Sequence, residues 1–149
     1  MNEILVKCFN DTLNVSNSML LSETINAINS NKIYKENFVA GKKNEKQAYK
    51  DIFNYLSVES NKSFNAAKQY SQLGKVAVLN FANPHFPGGG VKNGAMAQEE
   101  CLCRSSNLYL CLNAKNVYED YYLYNRNIKN RFFSDRLIYT KNVTVFKDD

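Results

Sequence analysis

The sequence predicts an α/β fold in a single domain. Two features carry this prediction: stretches of helical apolar spacing in the first half, and a β-rich apolar segment, Lys75–Ala82, that is followed by a glycine loop and a helix-forming run. The chain has 149 residues, of which 44% are hydrophobic and 13% aromatic, enough for one globular core. We divide this one domain into a helical N-terminal region, residues 1–74, and a strand, loop and helix region, residues 75–149.

Apolar residues at helical spacing predict three helices in the N-terminal region. The first covers residues 18–29, with Ser18 as its N-cap. A second helical stripe is centred on Ile52, and a third short helix is predicted from Ser63 to Tyr70. The stretch rich in Asn, Lys and Gly, residues 29–44, is predicted to be a loop.

The second region is expected to supply the sheet. Lys75–Ala82 is short, β-rich and bounded by turn residues, which is typical of a buried central strand. A helix-forming run covers about residues 95–112, and residues 136–140 and 143–146 predict two short strands or one interrupted strand.

Charge and hydropathy limit the partners and the location. The net charge of +5, from 19 Lys and Arg against 14 Asp and Glu, would attract a polyanion, but the Lys residues are scattered, so a solvated surface is favoured over a nucleic-acid interface. No apolar run approaches the roughly 18 residues of a membrane span, and the N-terminus lacks the pattern of a signal peptide. We therefore expect a soluble, cytoplasmic protein without a membrane partner.

The four cysteines do not predict a metal site. Cys8, Cys101, Cys103 and Cys111 form no paired CxxC clusters, and the chain has one His. We predict reduced thiols, and the three that fall in one apolar segment, Cys101, Cys103 and Cys111, are expected to act as small buried hydrophobes.

Three consecutive glycines, Gly88–Gly90, form the first candidate binding element. Glycines reach backbone conformations closed to other residues and leave their amides uncovered, so a phosphate or diphosphate can approach the main chain. The helix that follows begins with unpaired amides carrying about half a positive charge, which stabilises the same anion. A flexible turn without a ligand is the alternative, and the context has to decide between them.

Gln98, Glu99 and Glu100 form the second candidate element, at the start of the predicted helix. Consecutive helix residues point about 100° apart, so two neighbouring carboxylates address one ligand only if it lies over the helix end. The glycine loop would place a ligand there. Alternatively, acidic residues in a first turn only complement the helix dipole.

Such a carboxyl group experiences opposing influences on its pKa. The helix start favours the charged form, whereas burial, an acidic neighbour and a bound diphosphate favour the protonated form. If the latter prevail, Glu100 or Glu99 could donate a proton to a departing sugar oxygen, as a general acid does in glycosidic cleavage. Ordinary glycosidases need two separated carboxyls, so here one Glu would orient ribose hydroxyls while the other transfers the proton.

These residues resemble a known family. The run Asn80–Gly90, with the triple glycine at its end, is followed after seven residues by Gln98–Glu100, and this spacing resembles the signature of poly(ADP-ribose) glycohydrolases, particularly the compact bacterial type. Residues 101–106 and the segments near residues 137–146 extend the similarity. It covers residues 76–149 well and the N-terminal region only loosely.

The resemblance implies a macrodomain-like α/β fold, with a mixed sheet flanked by helices, that binds ADP-ribose. It also implies hydrolysis of the ribose–ribose bond of poly(ADP-ribose) without metal or cofactor. Carried over by position, Glu100 is the catalytic acid and Glu99 the second catalytic residue, which binds ribose hydroxyls. The implied substrate-binding residues are Asn83, Gly88, Gly89, Gly90 and Gln98.

Several expectations accompany this resemblance. Bacterial members continue beyond the segment that ends here, so the sheet is expected to be incomplete at its C-terminal end, and an open sheet edge favours self-association. The alternative is a non-catalytic ADP-ribose binding module with an incomplete site, and a third hypothesis is nucleic-acid binding. An ADP-ribosylated protein is a further candidate partner. We interpret His85 as a loop-surface residue rather than a catalytic base.

Overall fold

Helices make up most of the regular structure. The computed structural model of the chain describes residues 2–39, 56–129 and 133–148. Its α-helices are α1 (Glu3–Asn17), α2 (Leu21–Asn29), α3 (Ser63–Ser71), α4 (Gln98–Ser105), α5 (Leu108–Leu112), α6 (Lys115–Val117) and α7 (Tyr124–Arg126). A 3-10 turn, Val91–Asn93, precedes α4, and a π-helical segment, Tyr118–Leu123, joins α6 to α7.

One antiparallel pair of strands forms the sheet seen in the described part of the chain. The strands are β1 (Lys32–Tyr34) and β2 (Leu137–Tyr139), and Ile33 pairs with Ile138 at the centre. β1 lies inside the stretch predicted to be a loop, so that prediction is wrong there, whereas β2 confirms the strand predicted over residues 136–140. The residues predicted as a second strand, 143–146, contribute only a single bridge, between Val145 and Ser106.

Helix α1 was not predicted. Its N-terminus is capped by Asn2, whose side chain accepts a hydrogen bond from the Leu5 amide at 3.3 Å. The residues that α1 buries are Phe9, Thr12 and Ser16. Leu5, Phe9 and Leu13 recur at helical spacing, so the sequence contains a signal for α1 that the prediction did not use.

Ser18 does not begin a helix. It follows the last residue of α1, and its hydroxyl donates to the Asn14 carbonyl oxygen at 2.6 Å. Helix α2 starts at Leu21, so the predicted N-cap is wrong and the rest of the predicted helix is confirmed. The helix predicted from Ser63 to Tyr70 is confirmed as α3. The helix predicted around Ile52 lies outside the described residues.

The helix-forming run over residues 95–112 is divided into α4 and α5. The break falls at Ser106 and Asn107, where the Asn107 side chain accepts from the Thr144 amide at 2.9 Å and the Asn107 amide donates to the Thr144 carbonyl at 3.2 Å. These bonds replace the helical ones, because one residue cannot use the same backbone groups twice.

The apolar segment Lys75–Ala82 is not a buried strand. It has no strand partner among the described residues, and Leu79 and Phe81 are 69% and 71% exposed. Its backbone bonds instead to the side chain of Gln98, which accepts from the Phe81 amide at 2.9 Å and donates to the Leu79 carbonyl at 2.7 Å. The apolar composition of this segment indicates that it is suited to burial. Burial also requires a neighbouring element that covers the segment, and none of the described elements covers it.

The core lies between α1, α4, α5 and the residues of α6 and the π-helical segment. Its buried members are Phe9, Val91, Leu102, Cys103, Leu108, Tyr109, Leu112, Val117 and Tyr122. The rings of Phe9 and Tyr109 meet edge to face, with centroids 5.0 Å apart. Burying one such aromatic side chain contributes about 1.5–3 kcal/mol, so this cluster fixes α1 against the helices that follow the glycine loop.

The cysteines are free thiols. Cys103 and Cys111 are buried, whereas Cys8 and Cys101 are half-buried, so burial is confirmed for two of the three cysteines for which it was predicted. Of the helices in the described ranges, none combines the length and the apolar character that crossing a membrane requires.

Candidate active site

The two adjacent glutamates lie in the first turn of α4. The helix begins at Gln98, three residues after the predicted start of the helix-forming run, and its N-cap residue, Ala97, offers no side-chain hydrogen bond to the first amides. Glu99 and Glu100 are only 3% and 7% exposed. A carboxylate at this end of a helix is favoured by the dipole, but burial removes it from water, so each needs hydrogen-bond donors from the protein.

Glu99 is held by donors from the segment that precedes the glycine loop. Its Oε2 accepts from the Asn83 amide at 2.8 Å, and its Oε1 accepts from the Asn80 side chain at 3.2 Å. Burial raises the pKa of Glu99 and is the dominant influence. The hydrogen bonds from Asn83, Asn80 and the Gly88 backbone lower this pKa, and the charge of Glu100 raises it.

Glu100 is held on one oxygen only. Its Oε1 accepts from the Gly90 amide at 2.8 Å. Its Oε2 is buried and has no hydrogen-bond partner among the described residues. A buried oxygen without a partner is costly, and it marks a position where a hydrogen-bond donor of a ligand would bind.

The glycine loop lies directly against both carboxylates. Gly88 and Gly89 have φ values of 66° and 55°, in the left-handed region that favours glycine. A Cβ at Gly89 would lie 2.5 Å from the Glu100 Oε1 and 3.3 Å from the Glu99 Oε2, and one at Gly88 would lie 2.9 Å from the Tyr109 ring. The loop therefore needs glycine both for its conformation and for its contact with the glutamates.

The amides of this loop already have partners inside the protein. The Gly89 amide donates to the Phe86 carbonyl at 3.0 Å, and the Gly90 amide donates to Glu100. The glycines were predicted to present their amides to a diphosphate. In this structure their first role is to fix the loop and a carboxylate, and diphosphate binding stays a prediction.

Asn83 organises the turn that leads into the glycines. Its side-chain oxygen accepts from the amides of His85 and Phe86, both at 2.9 Å, while its own amide binds Glu99. This is an Asx turn, in which the side chain takes the place of a backbone carbonyl. Asn83 is therefore next to the predicted catalytic residues, as expected for a residue predicted to bind substrate.

His85 lies in the same turn and is partly buried. Its ring meets the Phe133 ring edge to face, with centroids 5.1 Å apart. Within the described residues its imidazole has no hydrogen bond to either glutamate. This arrangement gives no support for a role of His85 as a general base.

Gln98 faces away from the glutamates' oxygens. Its amide group binds the backbone of the segment Lys75–Ala82, as described above, and also donates to the Ser63 hydroxyl at 3.1 Å. It was predicted to bind substrate; the structure shows it fastening that segment and α3 to the start of α4.

Sequence reasoning missed two residues that contact or surround the pair. Asn80 donates to Glu99, and its side-chain oxygen is buried without a partner in the described structure. A signal was present, because Asn80 is the polar residue in an otherwise apolar run.

Tyr122 is fully buried, and both burial and the charge of Glu99 raise the pKa of its hydroxyl. Nothing in the sequence distinguishes it from the other tyrosines.

The described residues contain no group of three or more His, Cys, Asp or Glu side chains placed to hold a metal ion. The reactive groups that the described residues bring together here are two buried carboxyl groups with unequal surroundings, beside a glycine loop.

Comparison with known protein families identifies the family of the chain. The family described as microbial-type PARG, catalytic domain, matches the chain over residues 6–148. The chain belongs to the microbial-type PARG family. PARG stands for poly(ADP-ribose) glycohydrolase, so the family resemblance predicted from the glycines and Gln98–Glu100 is confirmed.

Solved PARG structures share the fold. The enzyme of Thermomonospora curvata, bound to the inhibitor ADP-HPD, superposes with a TM-score of 0.78 at 26% identity, over 99% of this chain and 57% of that chain. PARG from Deinococcus radiodurans, in complex with ADP-ribose, gives a TM-score of 0.66 at 29% identity, over 85% of this chain and 50% of that one. The chain thus spans about half the length of these PARG chains. A search of curated proteins finds no match.

Proposed function

We propose that this PARG family member hydrolyses ribose–ribose bonds of poly(ADP-ribose) and releases ADP-ribose. The observation that carries the proposal is the unequal anchoring of Glu100, with Oε1 fixed by the Gly90 amide and Oε2 buried without a partner. A general acid needs one oxygen that can carry a proton and a rigid carboxyl group that aims it. The PARG structures that hold ADP-ribose or ADP-HPD support the choice of substrate.

The two glutamates would divide the work. Glu100 protonates the oxygen of the departing ribose as the glycosidic bond breaks, and water adds to the oxocarbenium-like sugar and returns a proton to Glu100. Glu99 accepts hydrogen bonds from ribose hydroxyls and so orients the sugar. Its anchors, Asn83 and Asn80, hold it in place for that task.

The diphosphate would lie over the glycine loop and the start of α4. The amides of Gly89 and Gly90 are already paired, which leaves the first amides of α4, without a side-chain cap, as donors for the anion. The diphosphate can approach the main chain closely because the loop residues, Gly88, Gly89 and Gly90, have no side chains. The walls of the substrate-binding site are then formed in part by Asn83 and Gln98. The macrodomain-like architecture, the cytoplasmic location and action on ADP-ribosylated proteins belong to the same proposal.

The test is release of ADP-ribose from purified poly(ADP-ribose). Glu100→Gln keeps the size of the side chain and removes its proton, so release should fall about 10²- to 10⁴-fold. Glu119→Gln is the matched control, because Glu119 is an exposed glutamate paired with Lys115 at 4.0 Å. Equal release by the wild type and Glu100→Gln would reject the assignment.

The alternative is a non-catalytic ADP-ribose binding module. The Oε2 of Glu100 is covered in this structure, so proton transfer to a sugar requires the surrounding groups to move. Calorimetry separates the two functions: ADP-ribose binding without release of ADP-ribose from the polymer supports the module, and no binding at millimolar ligand rejects both. Self-association is measured in the same samples by sedimentation.

A further inference from the structure

We propose that Arg126 is a positioning residue that binds the turn Asn83–Phe86. These contacts, called the clasp, hold the glycine loop in its place beside Glu99. This inference rests on the proposed function for its catalytic meaning. Its structural part rests on contacts between α7 and the turn before the glycine loop, two segments that are distant in sequence.

The guanidinium of Arg126 is fixed from two directions. Its Nε donates to the His85 carbonyl at 2.8 Å, and its Nη1 donates to the Tyr118 hydroxyl at 2.8 Å. The same group lies 4.7 Å from the centroid of the Phe86 ring and 5.1 Å from that of Tyr118. Two directional hydrogen bonds and two ring contacts together define one orientation.

The π-helical segment explains why Tyr118 and Arg126 meet. In a regular α-helix, eight residues at about 100° each would leave the two side chains roughly 80° apart around the axis. The wider winding of the π-helix between them reduces the rotation per residue and brings them toward one face. Segments of this kind occur often at functional sites.

A continuous series of hydrogen bonds leads from the clasp to the carboxylate. Arg126 binds the His85 carbonyl, the amides of His85 and Phe86 bind the Asn83 side chain, and the Asn83 amide binds the Glu99 Oε2. The Phe86 carbonyl in turn accepts from the Gly89 amide. Release of the turn would therefore loosen both the glycine loop and the principal anchor of Glu99.

The clasp is suited to arginine and can be removed without opening the core. A planar guanidinium donates through two nitrogens and stacks on rings at once, which a lysine ammonium cannot do. Arg126 is exposed, so its truncation leaves no cavity, and the variant is expected to fold.

Hydrogen–deuterium exchange tests the clasp without requiring turnover. In Arg126→Ala the amides of His85, Phe86 and Gly90 should exchange about tenfold faster or more, and Arg126→Lys should fall between this variant and the wild type. Lys68→Ala is the control: that lysine is an exposed cation on α3 and has no contact with the turn or with α7. Unchanged loop exchange in Arg126→Ala, or an equal rise in Lys68→Ala, would overturn the proposal.

A kinetic measurement tests the catalytic part. If the wild type releases ADP-ribose, Arg126→Ala should lower kcat roughly tenfold to a hundredfold with a smaller change in KM, because misplacement of a catalytic group by about 1 Å has effects of this size. Arg126→Lys should recover part of the rate. An unchanged kcat would contradict positioning. A wild type without turnover would reject the proposed function, and the exchange result alone would then decide on the clasp.

Discussion

The amide of Gly90 donates a hydrogen bond to the Oε1 of Glu100, 2.8 Å away, across the turn that separates the glycine loop from α4. Glu99, one residue earlier, is held from another side by the amide of Asn83. Adjacent helix residues point about 100° apart, so each carboxylate meets a different part of the same loop. This gives two neighbouring glutamates separate surroundings, which their proposed division of labour requires.

Gly89→Ala should impair the site far more than an alanine elsewhere. The left-handed conformation costs a non-glycine residue about 1–2 kcal/mol, and the new Cβ would lie 2.5 Å from the Glu100 Oε1 and displace it. We expect lower stability to urea and loss of ADP-ribose release. Gly74→Ala is the control, since a Cβ there meets nothing within 4 Å. Equal behaviour of the two variants would show that the close packing is unimportant.

The stability of the protein should depend on Glu99 in a pH window above the ordinary pKa of a glutamate. Because burial raises the pKa of Glu99, the folded state holds its proton more tightly than the unfolded state does. The free energy of unfolding should therefore fall as pH rises from the ordinary value through the raised one. Glu99→Gln removes this titration.

Urea titrations of the wild type and Glu99→Gln at several pH values measure the effect. The variant should gain stability relative to the wild type as pH rises through the window, and the difference should then level off. A constant difference at every pH would mean that Glu99 titrates at the same pH in both states.

Asn80→Ala should raise the pKa of Glu99 further. The Asn80 side chain donates to the Glu99 Oε1 at 3.2 Å, and a hydrogen bond to the charged form of an acid lowers its pKa. Carbon-13 NMR of the glutamate carboxyls follows this titration directly. Asn113→Ala, at an exposed position, should leave the titration unchanged. A lower pKa for Glu99 in Asn80→Ala would contradict the role given to Asn80.

Tyr122→Phe should keep or increase stability. The Tyr122 side chain is fully buried, and its hydroxyl has no hydrogen-bond partner among the described residues. Removing a buried hydroxyl that makes no bond relieves a desolvation penalty of about 1–3 kcal/mol while the ring still fills its space. Tyr122→Ala, which also removes the ring, should cost about 3–5 kcal/mol in urea unfolding. A loss above about 1 kcal/mol in Tyr122→Phe would indicate a partner for the hydroxyl.

The centre of the site could be predicted from sequence because its signals are local. The three glycines, Gln98 and the two glutamates lie within thirteen residues, Gly88–Glu100, and the predicted helix start near residue 95 is three residues from the observed start of α4. The contribution of Asn80 could not be predicted, because it depends on how the segment before the loop folds back over α4. The clasp by Arg126 depends on contact between residues 41 positions apart.

The fold was predicted less completely, for two physical reasons. The buried face of α1 includes the polar residue Thr12, whose burial depends on the tertiary hydrogen bond from its hydroxyl to the Arg104 carbonyl. Conversely, Leu79 and Phe81 are apolar yet exposed, because composition does not show whether a neighbouring element covers a segment. The strand pair of Ile33 with Ile138 likewise joins segments that no local pattern connects.

The most direct test of the proposed site is an NMR titration of the chain, labelled with nitrogen-15, with ADP-ribose. The largest chemical-shift changes should fall on the amides of Gly88–Gly90 and Gln98–Glu100, and Gly89→Ala should abolish them. Changes centred instead on the cavity lined by Tyr34, Glu36 and Leu137, or no change at millimolar ADP-ribose, would contradict the assignment of the glycine loop and the two glutamates as the ADP-ribose site.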